Sequence, residues 1–419
     1  MTPEELIRGI YDCECKREHL CPIDYIKTGE NALSCLPEIC REYNKILLVS
    51  DVNTYEVCGQ KAAFFLKEKL EKNLILIPQE KDVIPNEEKI SEIENAITDK
   101  TDLIIGVGSG VINDLCKYVS FNHSLPYYII ATATSMDGYA SVGSALILSG
   151  MKITINTRPP KAIIADTNVL RNAPIDMLRA GYGDIVGKYS CLNDWKLSAL
   201  INEEYFCQRV YDLTLNCVKE VEKLADKILN RDKNAVGLLM NALITVGIAM
   251  SYVGSSRPAS GSEHHLSHFF EITGILHNKP YFMHGIDVAY SSVVTAELRE
   301  KLSAGIPSLP NFDKEKWSKE IRRIYTTSAD GIIALQEKLG WYENENFENI
   351  RSKWNEIKLI LSKAPTREET INMIKKIGLE YDEFEKQYGK DKIKDAVLYA
   401  KDLKDRYTVL WLNYKYFEV

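Results

Sequence analysis

The spacing of apolar and polar residues changes character once along this chain. Between Lys45 and Asp166, short apolar runs alternate with amphipathic stretches. Residues 45–51, KILLVSD, form a continuous apolar run closed by Ser50 and Asp51, as a strand buried on both faces does. Residues 54–72 carry helical spacing, and Leu74 to Ile77 reads as the next strand. Residues 85–97 predict a helix with Pro85 near its start. A strand over 102–107, a helix over 111–120 and a strand over 126–131 follow. Residues 142–155 alternate around Ser149 and Gly150, which predicts a hairpin, and 162–166 is one more buried strand. Strand–helix alternation predicts a parallel sheet with nucleotide sites at the carboxyl ends of its strands. After Pro174 the period becomes helical to the end of the chain, interrupted at Gly261, Pro280, Pro307, Pro310 and Pro365. Residues 314–325 and 351–361 have amphipathic spacing. The switch places a domain boundary near residue 170, with an α/β domain over 1–170 and a helical domain over 171–419.

Composition narrows the picture modestly. A chain of 419 residues is long for one core, so two or three domains are expected. The net charge of −7, with both signs intermixed, argues against nucleic acid or an anionic membrane surface as the main partner. No apolar run approaches a membrane span. The first residues, MTPEELIRGI, lack the basic-then-apolar pattern of a secretory signal. Ten cysteines in that context predict reduced thiols and a cytoplasmic setting.

The chemistry concentrates in a few stretches. Five of the seven histidines fall between Gly254 and His284: His264, His265, His268, His277 and His284. His264 and His268, four apart, share a helix face, and His284 lies past a loop holding Pro280, from which it can fold back. Two imidazoles and a carboxylate suit zinc, nickel or iron and leave positions open for substrate. Asp184, in AGYGDIVGK, is a candidate carboxylate; the other reading is an intrahelical ion pair with Lys188. Small residues at 181, 183 and 187 let a second element approach that helix. Earlier, GVGSG at 106–110 sits between strand and helix, where backbone amides and a helix N-terminus favour phosphate. Its spacing is not the ordinary dinucleotide fingerprint, and alone it is equally a turn. Asp51 ends the earliest predicted strand and is a candidate ribose ligand. The loop ATATSMDGY at 131–139 is rich in hydroxyls at another strand end. Near the start, Cys13, Cys15, His19 and Cys21 crowd into nine residues, either as a structural metal site or as packed thiols.

These stretches together resemble the sn-glycerol-1-phosphate dehydrogenase family in its bacterial, AraM-like branch. That family sits within the wider group of iron-containing alcohol dehydrogenases, glycerol dehydrogenases and dehydroquinate synthases. The likeness runs over nearly the whole chain, and the combination of SMDGY, GDIVGK and SRPASGSEH carries it. It implies a Rossmann-like α/β N-terminal domain and an all-helical C-terminal domain, the dehydroquinate synthase-like fold. It implies one divalent metal, zinc, nickel or iron, on Asp184, His264 and His284. His265 points about 100° from His264 on a helix, so both cannot easily hold one ion. The resemblance further implies that Asp51 meets the adenosine ribose and Gly108, Ser109 and Gly110 the pyrophosphate of NAD(H) or NADP(H). Thr132, Ser135 and Asp137 are then near nicotinamide and substrate, with Asp114, Thr134 and Ser141 completing the cofactor set.

The implied reaction is reversible reduction of dihydroxyacetone phosphate to sn-glycerol 1-phosphate by a homodimer. Asp137, Lys188 and His268 are the expected catalytic side chains. Lys152, Arg158, Lys188 and Arg257 are the cations available for the substrate phosphate. A carboxylate at Asp51 repels a 2′-phosphate, which favours NAD over NADP. The competing readings are a glycerol or polyol dehydrogenase, a dehydroquinate synthase-like lyase, and a non-catalytic binding protein on the same fold.

Overall fold

The computed structural model describes residues 1–78, 83–148, 151–308, 312–342 and 347–416. The hairpin turn residues Ser149 and Gly150, and Pro310, lie outside them. The chain divides into two compact units, one of residues 1–182 and 223–254, the other of residues 183–222 and 255–419. The partition is discontinuous, where the change of period suggested a single line near residue 170. A helical segment over 223–254 returns to the α/β unit, and periodicity alone carries no information about such a return.

The first unit is built on a six-stranded sheet. Its strands are β1 (Tyr25–Gly29), β2 (Ile46–Asp51), β3 (Leu70–Leu76), β4 (Leu103–Gly108), β5 (Tyr127–Ala131) and β8 (Ala162–Asp166). They lie in the order β1-β8-β5-β4-β2-β3, all parallel. Strands β6 (Gly143–Leu148) and β7 (Met151–Asn156) pair antiparallel as the predicted hairpin. Two elements depart from the sequence reading. The stretch expected to be one helix over 54–72 is a short π and α segment that ends at Leu66, and β3 begins at Leu70. β1, unmarked by any long apolar run, is held at an edge by pairing with β8. The core of this unit packs Leu48, Ile105, Val107, Ile130 and Ile164 under one face, and Leu47, Ile104, Ile129 and Ile163 on the other face are also at 0% exposure, which is why these strands read as unbroken apolar runs.

Helix α1 (Gly110–Asn122) follows β4. Helix α2 (Ile175–Asn202) contains the point where the partition passes from the first unit to the second. Helix α3 (Lys233–Val253) belongs to the first unit and, contrary to the sequence expectation, is long and apolar enough to cross a membrane by length and composition. Its most apolar window is 72% buried within the protein, the property of a core helix.

The second unit is helical. Helices α4 (Ser262–Leu276) and α5 (His284–Ala304) pack against each other and onto the middle of α2, from Gly183 to Cys191. The close approach is made by glycines. A Cβ on Gly183 would stand 2.3 Å from the Gly285 backbone oxygen, one on Gly187 2.5 Å from Val288, and one on Gly261 2.6 Å from Cys191 Cα. A separate core of Leu197, Ile201, Leu302, Ile357, Trp411 and neighbours holds the C-terminal helices.

Candidate active site

In the first unit the parallel register brings three strand ends into one row. Gly108 pairs with Ala131, and Ser50 with Val107, so Asp51, Gly108 and the loop after Ala131 share the carboxyl edge. Asp51 is fixed there by its own turn: Thr54 N donates to Asp51 Oδ1 at 2.8 Å. Gly108 admits no side chain, since a Cβ would lie 2.5 Å from Ile112 in the first turn of α1. Ser109 stands at the N-cap of α1 without a side-chain capping bond, so the first amides of the helix are not covered by it. Thr132 N donates to Gly108 O at 3.1 Å, tying the 131–139 loop to this strand end. Thr134 Oγ1 is buried with no hydrogen-bond partner among the described residues.

Two of the named residues face inward instead. Asp114 lies beside Asn113 Nδ2 at 3.1 Å and 3.8 Å from Lys117 Nζ, and burial raises its carboxyl above the usual range despite Lys117. Ser141 Oγ donates within its own loop, to Gly138 O at 3.0 Å. Lys117, which the sequence reading passed over, organises this corner. Its ammonium donates to Gly138 O and Gly143 O, both at 2.9 Å, and burial lowers it to about 8 against the pull of Asp114 and Asp137. It therefore fixes the backbone on the C-terminal side of Ser135 and Asp137.

In the second unit three helices deliver a donor cluster. Asp184 comes from α2, His264 from the first turn of α4, and His284 is the first residue of α5. One ligand atom from each lies within 4.8 Å of the other two. His264 Nε2 is 3.5 Å from Asp184 Oδ1. Two bonds of about 2.1 Å at a tetrahedral centre place their donor atoms about 3.4 Å apart, so this edge matches a divalent ion. The His268 ring completes the group at 5.4 Å from that of His284 and 6.3 Å from that of His264. Lys188 Nζ donates to Asp184 Oδ1 at 2.6 Å, with both side chains at 0% exposure. Burial works to raise the Asp184 carboxyl, but Lys188 and the two imidazoles outweigh it and hold it well below the usual carboxylate range.

Glu263 is the residue missed. Its buried Oε1 accepts from His264 Nδ1 at 2.6 Å and from Gly261 N at 3.0 Å. That bond turns the ring so that Nε2 faces the space between Asp184 and His284, the usual way a carboxylate orients a metal-binding imidazole. Burial and Lys188 lower the His264 imidazole, yet Asp184 and Glu263 together leave it raised. Asp194, one turn and a half beyond Lys188, holds the start of α4 through Ser262 N at 2.7 Å and also receives Val409 N at 2.7 Å. Ser267 Oγ sits 3.4 Å from His284 Nδ1 and supports the third donor. His265 is fully buried elsewhere in the unit, and burial lowers it well below the ordinary value, so it stays neutral.

The family description for iron-containing alcohol dehydrogenase matches residues 27–174. A protein of Halalkalibacterium halodurans named glycerol-1-phosphate dehydrogenase (NAD(P)+) is 35% identical over 293 residues, which is 68% of this chain and 73% of the relative. This chain belongs to the glycerol-1-phosphate dehydrogenase family. The relative of the same name from Geobacillus thermodenitrificans extends the match to 81% of this chain and 88% of its own length at 31% identity. Among solved structures, sulfoacetaldehyde reductase from Bifidobacterium kashiwanohense superposes with a TM-score of 0.62 over 94% of this chain and 97% of its own. At 12% identity that likeness concerns the fold alone.

For a glycerol-1-phosphate dehydrogenase family member, the donor set Asp184, His264 and His284 fits a divalent ion by chemistry as well as by spacing. The glycine-built edge at Gly108, Ser109 and Gly110 fits a dinucleotide pyrophosphate. The four phosphate candidates differ sharply. Arg257 is committed to structure: its guanidinium bonds Glu204 Oε1 at 2.6 Å, Tyr407 O at 2.8 Å and Ser198 Oγ at 3.2 Å. Arg158 lies over the Phe121 ring, and Lys188 is on Asp184. Lys152 is half-buried near Asp114. A cavity of about 580 Å³ in the second unit is lined by Glu204, Arg257, Tyr407 and neighbours, and by none of the donor-cluster residues.

Proposed function

We propose that this chain catalyses the reversible NAD(P)H-dependent reduction of dihydroxyacetone phosphate to sn-glycerol 1-phosphate, with one divalent metal held by Asp184, His264 and His284. The observation that carries the reading is the meeting of those donors within 4.8 Å in a chain of this family. When bound, the metal supplies Lewis acidity at the substrate carbonyl oxygen and the nicotinamide supplies the hydride. Glu263 keeps the His264 proton on Nδ1 and its Nε2 aimed at the centre. Lys188 keeps Asp184 ionised, so the carboxylate is ready as a donor. His268, half-buried beside both donor imidazoles, is the group suited to pass a proton to the developing alkoxide, and Asp137 is the second candidate from the cofactor loop.

At the sheet edge Asp51 binds the adenosine ribose, and its carboxylate favours NAD over NADP. Gly108, Ser109 and Gly110 take the pyrophosphate, and Thr132, Thr134 and Ser135 line the nicotinamide side. Asp114 and Ser141 then support the cofactor loop by holding Lys117 and Gly138. Zinc or nickel is the expected metal, with iron third. The enzyme is expected to act in the cytoplasm as a homodimer and to supply precursors of phospholipids.

The test is NADH oxidation by metal-reconstituted protein with dihydroxyacetone phosphate or dihydroxyacetone, followed by an enantiospecific assay of the product. Strong preference for the phosphate with glycerol 1-phosphate as product supports the reading. Preference for dihydroxyacetone makes this a polyol dehydrogenase. Turnover of neither, with NAD still bound, favours a lyase or a non-catalytic protein.

A further inference from the structure

The arm before β1 contains a donor cluster for which the proposed dehydrogenase chemistry has no use. After the short helix Pro3–Leu6, the chain closes a loop by an antiparallel bridge between Ile10 and His19, with reciprocal bonds of 2.9 and 2.8 Å. Inside the loop Lys16 N donates to Cys13 O at 2.8 Å, and Lys16 takes the left-handed conformation at φ 61°. This turn brings the two thiols of Cys13 and Cys15 back toward His19. One ligand atom each from Cys13, Cys15 and His19 falls within 4.8 Å of the others.

The imidazole is oriented as a ligand would be. His19 is fully buried, and its Nδ1 lies 3.0 Å from the backbone oxygen of Tyr252 in the last turn of α3. A carbonyl oxygen only accepts, so Nδ1 carries the proton and Nε2 keeps its lone pair. That Nε2 faces Cys15 Sγ at 3.3 Å. A tetrahedral zinc with bonds of about 2.3 Å to sulfur and about 2.1 Å to nitrogen sets those atoms about 3.6 Å apart, close to the distance found. The arrangement has the same logic as Glu263 and His264: a backbone or carboxylate oxygen on one ring nitrogen, the other aimed at the centre.

Burial does not explain the order of this loop. Of residues 11–18 each is exposed or half-buried, and His19 is the one buried side chain of the run 11–20. Tyr252 also donates its hydroxyl to Leu6 O and meets the His19 ring, so the apolar anchors of the arm, Leu6, Ile10 and Ile23, lie on either side of the run 11–18 and not within it. Small segments of that kind are commonly held by a cross-link or a metal.

We propose that Cys13, Cys15 and His19 bind a second divalent metal of the zinc class, through two thiolates and the His19 Nε2, and that this ion is structural. Binding releases the two thiol protons and involves no redox change. Three side chains occupy three corners of a tetrahedron and leave the fourth to a further donor. Two thiolates select soft, tetrahedral ions, whereas the Asp184, His264 and His284 set has no sulfur. That difference makes the two sites separable by spectroscopy, independently of which substrate the enzyme reduces.

The experiment is cobalt substitution of the full chain, with metal counted by mass spectrometry, in the wild type, in Asp184→Asn, and in Cys13→Ser with Cys15→Ser. The expected result is two ions per wild-type chain and one in Asp184→Asn, where the remaining cobalt shows thiolate-to-metal charge transfer in the near ultraviolet. The double cysteine variant is expected to lose that band and one ion while keeping its NADH-linked turnover, with a lower melting temperature. Because Asp184→Asn leaves the arm intact, its spectrum decides the matter even if the cysteine variant folds poorly. A cobalt spectrum of Asp184→Asn without a thiolate band overturns the proposal and leaves a thiol–imidazole hydrogen bond. So does a Cys13–Cys15 disulfide that excludes metal from the wild-type chain.

Discussion

Replacing Glu263 by Gln isolates what the second carboxylate does for the donor cluster. The exchange keeps size and an acceptor oxygen but removes the charge from a bond 2.6 Å long. Hydrogen bonds to charged groups are worth about 1.5–3 kcal/mol and neutral ones about 0.5–1.5 kcal/mol, so about 1–1.5 kcal/mol of orientation energy is lost. By the tenfold-per-1.4 kcal/mol rule this is a fall in metal affinity of roughly 5- to 12-fold, near the lower end for such partners. Folding stability responds in the other direction. Burial, then the Glu263 charge, pushes the Asp194 carboxyl up to about 6, so Gln relieves a repulsion between two buried acids. The assay is competition with a chromophoric chelator for the metal, alongside urea unfolding of the metal-free chain. The reasoning predicts weaker metal binding with an unchanged or higher urea midpoint. A Glu263→Gln chain that folds normally and binds metal within about twofold of wild type would refute the orienting role, because no geometric excuse remains.

Three further outcomes follow from the same geometry. Asp184→Asn and His264→Ala should each abolish tight metal binding and turnover while circular dichroism still reports a folded chain, and full metal content in His264→Ala would remove it from the ligand set. Gly183→Ala places a methyl 2.3 Å from the Gly285 backbone oxygen, next to His284. It should cost about 1–3 kcal/mol in urea unfolding and weaken metal binding together, whereas an unchanged midpoint would show that α2 and α5 can separate there freely. Asp194 has a folded pKa of about 6 against an unfolded value near 3.8. Its contribution to stability is therefore fully present below about pH 3.8 and lost as pH rises through about 6. The contribution of Asp194 to the pH dependence of the urea midpoint in that window should shrink in Glu263→Gln.

The strands β2, β4, β5 and β8 were legible because both faces are buried, which turns each into an unbroken apolar run. The hairpin and the helices over 110–122 and 314–325 were legible from period and from turn residues. β1 was not, since a five-residue edge strand with a mixed burial pattern carries little periodic signal. Glu263 escaped for a related reason: neighbours i and i+1 on a helix do not share a face, and only the start of α4 lets its carboxylate bend back to His264 Nδ1. The acidic residue in the first turn, beside two histidines, was the available hint. Arg257 misled in the opposite way, because a cation's partner at Glu204 cannot be read from spacing.

By itself the sequence determined the local chemistry: which segments are strands or helices, that His264 and His268 share a face, and that glycines at 183 and 187 permit close contact. The tertiary structure alone decided which of those groups meet. Asp184, His264 and His284 are separated by 80 and 20 positions, and His19 and Tyr252 by more than half the chain. Their meeting depends on glycine contacts at α2, on Asp194 holding the start of α4, and on α3 returning to the first unit. Periodicity describes one element's faces, whereas packing and long-range hydrogen bonds choose the face's partner, and that choice makes donors into a site.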